Sequence, residues 1–290
     1  MSISVLTNVA SLNAQRNLAS LGAQRNYNAT QAALSSSIGR LSSGMRINTA
    51  ADDAAGLGIS SNLQANIRSL AQAQRNANDG ISLTQVAEGS MNDMQGIVTR
   101  MRELAVQSAN GTLGTGERSY IETEFTQLSK EIDRISGVTN FNGQNLIDGA
   151  TSGSKALTFQ VGINATTNDV ISLAISKLDT TTLGSAAKIT AQHLDTATNA
   201  KAAIGVFDGA IKMLSQARAK LGAVQNRMQV TVSNLSVAQE NLSAANSRIR
   251  DVDVANESAN LTKSQILSQA GLAVLAQANQ LPQAALSLLR

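Results

Sequence analysis

Apolar residues along the C-terminal half of the chain keep a period of seven. Phe207, Leu214, Leu221, Met228, Leu235, Leu242 and Ile249 recur at that spacing, and Ala210, Ala217, Val224, Thr231, Ala238, Ala245 and Val252 follow three residues behind each. A two-position seam held through successive heptads predicts a coiled coil, and the strict seven-residue repeat implies left-handed winding. The second column is mostly small, so a partner helix can approach closely. The N-terminal half offers matching partners: Leu63, Ile67, Leu70, Ala77, Ile81 and Thr84 form one stripe, and Met94, Ile97, Met101 and Leu104 another. The stretch Asn110–Gly116, NGTLGTG, breaks the pattern, and Glu117–Ile135 predicts a shorter returning helix. A long helix, a turn and an antiparallel short helix can then pack with the 200–250 helix as one bundle.

Between the helical halves the period changes to two. Leu157, Phe159, Val161 and Ile163 alternate with polar or small residues, and Ile171, Leu173 and Ile175 do the same beyond the polar stretch NATTND, Asn164–Asp169. Two such runs around a polar turn predict a β-hairpin, at about 155–176. Residues 177–200 are low in apolar content and read as a short loop closing the hairpin onto the returning helix. The fold class is mainly α: a long antiparallel helical bundle with a small β-hairpin. The sequon at Asn164 and Thr166 is incidental on this reading.

The C-terminal end is apolar and almost uncharged. From Ser258 onward the only charged side chains are Lys263 and Arg290, while Ile266, Leu267, Val274, Leu275, Leu281, Leu286, Leu288 and Leu289 lie in an Ala/Gln-rich frame. Near the N-terminus Leu34, Ile38 and Leu41 form a comparable stripe. Such helices offer an apolar face and little to solvate a free one, and they bury too little alone to offset their ordering entropy. They predict tails that fold on a partner, giving a terminal coiled-coil domain from 1–45 plus 251–290 and a bundle domain from 46–250.

Composition removes most chemistry. The 290 residues include no cysteine or tryptophan, one proline (Pro282), one histidine (His193) and 2% aromatics. Disulfides, zinc–thiolate sites, iron–sulfur clusters and thiol nucleophiles are thereby excluded, as are paired-histidine metal sites. A net charge of +3 without a basic block argues against nucleic-acid binding, and the lack of a long apolar run argues against membrane insertion. The start, MSISVLTNVAS, has no basic region leading into an apolar stretch, so no Sec-type signal is expected. Arg16, Arg25, Arg40 and Arg46 in an acid-free, Ser-rich segment also fit an organellar transit peptide.

Each remaining candidate has a structural explanation. Asp52 and Asp53, in RINTAADDAAGLGIS, suit the cap of a helix beginning near Ala54 better than a metal site. Arg250, Asp251 and Asp253 lack the glycine and terminal glutamate of a calcium loop and read as junction charges. Gly56 and Gly58 lack the strand and third glycine of a nucleotide fingerprint, and His193 has no partner ligands. No nucleophile, base and orienting group can be assembled, so no enzyme and no cofactor is expected.

At these same residues the sequence resembles the bacterial flagellins. RLSSGMRINTAADDAAGL (40–57) is similar to the family's N-terminal signature; NDGISLTQVAEG (78–89), RMRELAVQSANGT (100–112) and EIDRISGVTNFNGQNLIDG (131–149) follow in family order. LGAVQNRM (221–228) and the run from Ser247 to Arg290 complete the resemblance. It implies a subunit that polymerises into the flagellar filament, with the paired termini as inner core and the bundle outside. Leu34, Ile38, Leu41, Ile266, Leu267, Val274, Leu275, Leu281, Leu286 and Leu289 would then pack subunit against subunit. It further implies unfolded export through the flagellar type III system without a cleaved signal peptide, an export chaperone on the C-terminal helix, and hook-associated and cap proteins as partners. Animal Toll-like receptor 5 is implied as a ligand of the bundle flank, at positions matching Arg100, Leu104 and Glu124. The short 177–200 segment implies a minimal form without large variable outer domains. A hook–filament junction protein and a cytoplasmic coiled-coil scaffold are the rival readings.

One feature departs from the family. SLNAQRNLA at 11–19 is followed by a near copy, SLGAQRNYN, at 20–28. Nine extra residues turn a helix by about two and a half turns, which ought to flip its upstream face. Val5, Val9, Leu12, Ala23, Tyr27, Leu34, Ile38, Leu41 and Met45 nevertheless stay within about 80° on a continuous helix, with Leu18 and Leu21 opposite. An unbroken helix about 13.5 Å longer is expected, presenting Leu18 and Leu21 to a neighbouring subunit.

Overall fold

The computed structural model describes residues 9–149, 156–184 and 187–287. Five α-helices dominate them: α1 (Val9–Ser43), α2 (Ala54–Ser108), α3 (Thr115–Val138), α4 (Ala197–Arg250) and α5 (Val254–Ser287). Between α3 and α4 lie strands β1 (Asn140–Phe141), β2 (Gln144–Asn145), β3 (Leu157–Gln160) and β4 (Val170–Leu173). The chain divides into two compact units, one of residues 1–64 with 242–290 and one of residues 65–241.

The helix boundaries follow from local chemistry. Helix α1 stops where Gly44 takes φ +71°, the left-handed conformation that ends helices at little cost to glycine. Asp53 starts α2: its Oδ1 accepts the Gly56 N–H at 2.8 Å. Asp52 ties the preceding loop, accepting from the Thr49 and Asn48 N–H groups and the Thr49 hydroxyl. Those hydrogen bonds, chiefly from the Thr49 backbone, hold its carboxyl below the usual carboxylate range. Asp253 does for α5 what Asp53 does for α2, accepting from the N–H groups of Ala255 and Asn256.

In the 65–241 unit, α2 and α4 run antiparallel. Gln74 bonds Ser236, Gln95 bonds Arg218 and Arg102 pairs with Asp208 at 2.6 Å, so contacts advance along one helix as they retreat along the other. The α2 seam is one continuous row at alternating spacings of three and four: Leu70, Ala73, Ala77, Gly80, Thr84, Ala87, Met91, Met94, Val98, Met101, Ala105 and Ser108 are all buried. Two separate stripes were expected. The difference lies in the small residues, because Ala73, Gly80 and Ala87 carry the seam where counting large apolar residues finds gaps. Ile67, Ile81 and Ile97 sit half-buried on its flank. Helix α3 closes the bundle with Ile121, Phe125 and Ile132, and the Phe125 and Phe207 rings meet at 5.8 Å between centroids. Each fully buried large side chain here stabilises the unit by about 1.5–3 kcal/mol.

The hairpin β3–β4 pairs Leu157 with Leu173 and Phe159 with Ile171. Val161 and Ile171 form a small cluster with Ala77 and Met228, with Phe159 against it. A second hairpin, β1–β2, turns on Asn142 (φ 51°) and Gly143 (φ 79°). Asn-Gly is the strongest short-range hairpin signal, but strands of two residues are too short for alternation to reveal them.

The connection from β4 to α4 differs from the loop expected at 177–200. Leu178, Leu183, Ile189 and Leu194 are buried in the bundle core, and α4 already begins at Ala197. A few well-spaced apolar side chains suffice to fold the segment down, whatever its average polarity. Asp133 on α3 fastens it by accepting the Thr180 N–H at 3.0 Å and the Thr180 hydroxyl at 2.8 Å. Next to it, burial raises the Asp179 pKa, but the Lys177 ammonium and the Thr181 and Thr182 hydroxyls outweigh burial and lower it to about 2.

Candidate interaction surface

Within the terminal unit α1 and α5 lie antiparallel. Met45 and Asp251 form an isolated bridge, Val252 donates its N–H to the Gly44 carbonyl at 3.1 Å, and the Tyr27 ring lies within van der Waals reach of Gly271. The described positions of α1 that face inward are Ser20, Ala23, Tyr27, Thr30, Leu34, Ser37 and Leu41; those of α5 are Glu257, Leu261, Ser264, Ser268, Gly271 and Leu275. The spacing is that of a coiled coil, but most of the residues are small or polar, so the seam buries little apolar area. Glu257 is buried in it, with the Arg40 guanidinium 4.0 Å away; the same guanidinium lies 3.8 Å from Asp52.

Eight of the larger apolar side chains point the other way. Leu18, Leu21 and Ile38 on α1, and Val254, Ile266, Leu267, Leu272 and Val274 on α5, are exposed. Of the residues predicted to pack between subunits, Leu34, Leu41 and Leu275 therefore lie half-buried in the intramolecular seam, and Ile38, Ile266, Leu267 and Val274 face outward. Ser37, 6% exposed, takes the inward place beside Ile38, 51% exposed. Leu281, Leu286 and Leu289 lie outside the residues whose side chains are described. Helix α1 is unbroken through the duplicated segment, from Ala19 to Thr30.

In the bundle unit, Phe207, Leu214, Leu221, Met228 and Leu235 are buried along α4; farther along the helix, in the terminal unit, Leu242 and Ile249 are half-buried. Arg100 on α2 donates to Glu124 on α3 at 3.0 Å and to Glu103 at 3.1 Å. The bond to Glu124, then that to Glu103, raises the Arg100 pKa above its ordinary value. Leu104 does not share this surface. It is 1% exposed and lies in the core next to Ala105 of the α2 seam, so it does not stand on a receptor-facing flank as the resemblance implied. Tyr120, one turn before Glu124, is the large exposed residue that sequence patterning missed. A lone aromatic outside any periodic stripe gives no signal.

His193 sits on the segment between β4 and α4, its Nδ1 3.0 Å from Glu122 Oε1; Glu122 Oε2 accepts the Leu194 N–H at 2.5 Å. The hydrogen bond to Glu122 raises the His193 pKa. Among the described residues no group of three or more histidines, aspartates or glutamates is arranged to hold a metal ion.

Comparison with known proteins decides what this surface belongs to. The bacterial flagellin N-terminal helical region matches residues 5–152, and the bacterial flagellin C-terminal helical region matches residues 204–289. The chain belongs to the bacterial flagellin family. It is 48% identical over 251 residues to the flagellin of Halalkalibacterium halodurans, covering 87% of this chain and 90% of that one. It is 45% identical over 292 aligned positions to the flagellin of Bacillus subtilis, covering 91% and 95%. Among solved structures, a putative flagellar hook-associated protein from Vibrio parahaemolyticus shares the fold, with a TM-score of 0.58 at 14% identity over 69% of this chain and all of that one. The family is a structural one. This flagellin is short and has no large variable domain, residues 174–196 alone connecting β4 to α4.

Proposed function

We infer that the terminal helical pair is the assembling element of this flagellin, and that its outward apolar residues pack against copies of itself. The chain is a structural subunit of the flagellar filament that serves swimming motility. One observation carries the assignment of the contacts: the described α1–α5 seam mixes small and polar residues with Tyr27, Leu34, Leu41, Leu261 and Leu275, while Leu18, Leu21, Ile38, Val254, Ile266, Leu267, Leu272 and Val274 of the same helices point to solvent. A helical pair so arranged gains most of its apolar burial only when other helices surround it.

The charge-poor C-terminal helix also suits an export chaperone, with passage through the type III channel and later contact with hook-associated and cap proteins. The Arg100–Glu124 pair, with Tyr120 nearby on α3, offers Toll-like receptor 5 a polar surface with an aromatic beside it. Removing residues 258–290 tests the central reading. The truncated chain should remain a soluble helical bundle and fail to sediment as filaments under conditions in which the full chain polymerises. Polymerisation of the truncated chain would overturn it, as would limited proteolysis of the monomer that cuts the bundle as readily as the ends.

A further inference from the structure

The sequence contains two Asn–Gly pairs, Asn110–Gly111 and Asn142–Gly143, and both stand exposed in turns. A glycine after asparagine leaves its amide nitrogen unshielded by a Cβ, so that nitrogen can approach the asparagine carboxamide carbon. Attack then needs a free N–H that can lose its proton, and a donor for the charge that gathers on the carboxamide oxygen. The surroundings of the two pairs differ in both respects.

Asn110 opens the turn from α2 to α3, its carbonyl accepting the Leu113 N–H at 3.4 Å. Among the described residues the Gly111 N–H has no acceptor. Arg118, in the first turn of α3, donates through Nη2 to the Asn110 carbonyl at 2.9 Å and through Nε to the Ser108 carbonyl at 2.9 Å. The Asn110 carbonyl belongs to the same peptide group as the Gly111 nitrogen. A guanidinium on that oxygen favours the amide anion formed when the nitrogen gives up its proton. The Thr112 N–H reaches Asn110 Oδ1 at 3.4 Å, where it meets the negative charge that develops as Cγ is attacked. Asn142 and Gly143 have the dipeptide without these contacts. They form the two-residue turn of β1–β2, at φ 51° and 79°, closed by the Phe141–Gln144 pair. Ring closure there must turn a peptide that the hairpin holds on both sides.

We propose that Asn110 is a self-modifying site, at which the fold itself promotes deamidation. The Gly111 nitrogen, having given its proton to water or hydroxide, bonds to Asn110 Cγ. The Cγ–Nδ2 bond breaks and Nδ2 leaves as ammonia, taking its proton from solvent. Water then opens the resulting succinimide, giving aspartate by attack at Cγ and isoaspartate by attack at the main-chain carbonyl. Each conversion places one carboxylate in the α2–α3 turn and lowers the net charge of +3 by one. The aspartate form keeps the turn, with the Thr112 N–H already in place to meet the charge. The isoaspartate form lengthens the main chain by one atom and loosens Leu113, which packs half-buried against the bundle core. The bundle thereby carries a slow, enzyme-free record of its age.

Full-length monomer held near neutral pH for several weeks and digested with trypsin tests this, because peptides 103–118 and 135–155 report the two pairs separately by mass. In the folded chain Asn110 should convert about tenfold faster than Asn142, and the two rates should converge in urea. Arg118→Gln should slow Asn110 about fivefold in the folded chain and leave its rate in urea and that of Asn142 unchanged. Gly111→Ala should nearly abolish conversion at Asn110 with helicity unchanged, since a Cβ there meets nothing within 4 Å. Equal rates at the two pairs in the folded chain would overturn the proposal. So would a difference that persists in urea, or an Arg118→Gln variant that converts as fast as the unmodified chain. Every measurement is made on the monomer, so the outcome stands apart from whether the chain polymerises.

Discussion

Replacing Glu122 by alanine should unfasten the segment before α4 from the bundle. Leu194 is fully buried and held from both sides: its N–H donates to Glu122 Oε2 at 2.5 Å, and its carbonyl accepts the Ser108 hydroxyl at 2.5 Å. A hydrogen bond to a charged acceptor contributes about 1.5–3 kcal/mol, and orphaning a buried N–H costs about 1–3 kcal/mol, two descriptions of largely the same loss. The expected destabilisation for Glu122→Ala is therefore about 2–3 kcal/mol. Glu122→Gln keeps an acceptor for Leu194 and should cost about 1 kcal/mol. Urea unfolding gives these differences, and amide exchange over residues 188–196 should show the protection of Leu194 lost in the alanine variant before that of α2.

His193 adds a pH dependence to the same fastening. Its pKa is raised in the folded chain, by the Glu122 hydrogen bond first, so its contribution is fully present below the unfolded value of about 6.5. It disappears as pH rises through the higher folded value. Wild-type stability should fall slightly from pH 5.5 to 8.5 relative to His193→Gln, and the imidazole's exposure keeps the effect small. Glu122→Ala unfolding within about 0.5 kcal/mol of wild type, with exchange at Leu194 unchanged, would refute the account.

Two further outcomes are expected. Leu214→Ala, at a fully buried position of α4, should lower stability by about 2.7–5 kcal/mol in urea unfolding through the cavity it leaves. Arg100→Ala with Glu124→Ala should weaken Toll-like receptor 5 signalling in reporter cells while circular dichroism stays unchanged, because the pair is exposed and adds little to folding; undiminished signalling would count against that surface.

Much of this flagellin could be read without coordinates, wherever one helix face or one strand alternation carries the information. The seven-residue period of Phe207 through Leu235, the period-two runs flanking Asn164–Asp169 and the capping aspartate Asp53 act over a turn or two of chain, and local patterning reports such interactions directly. The continuity of α1 through its duplication was legible for the same reason: helical phase depends only on residue count. Only the tertiary structure decided which of several possible faces each helix turns inward. Ser37 rather than Ile38 enters the α1–α5 seam, and Ala73, Gly80 and Ala87 join two stripes into one. Likewise Leu178, Leu183, Ile189 and Leu194 fold a polar segment onto the bundle. These outcomes depend on how closely a particular partner helix approaches. Close approach favours small residues at the contact and leaves larger ones outside, a preference that hydropathy along a single helix does not contain.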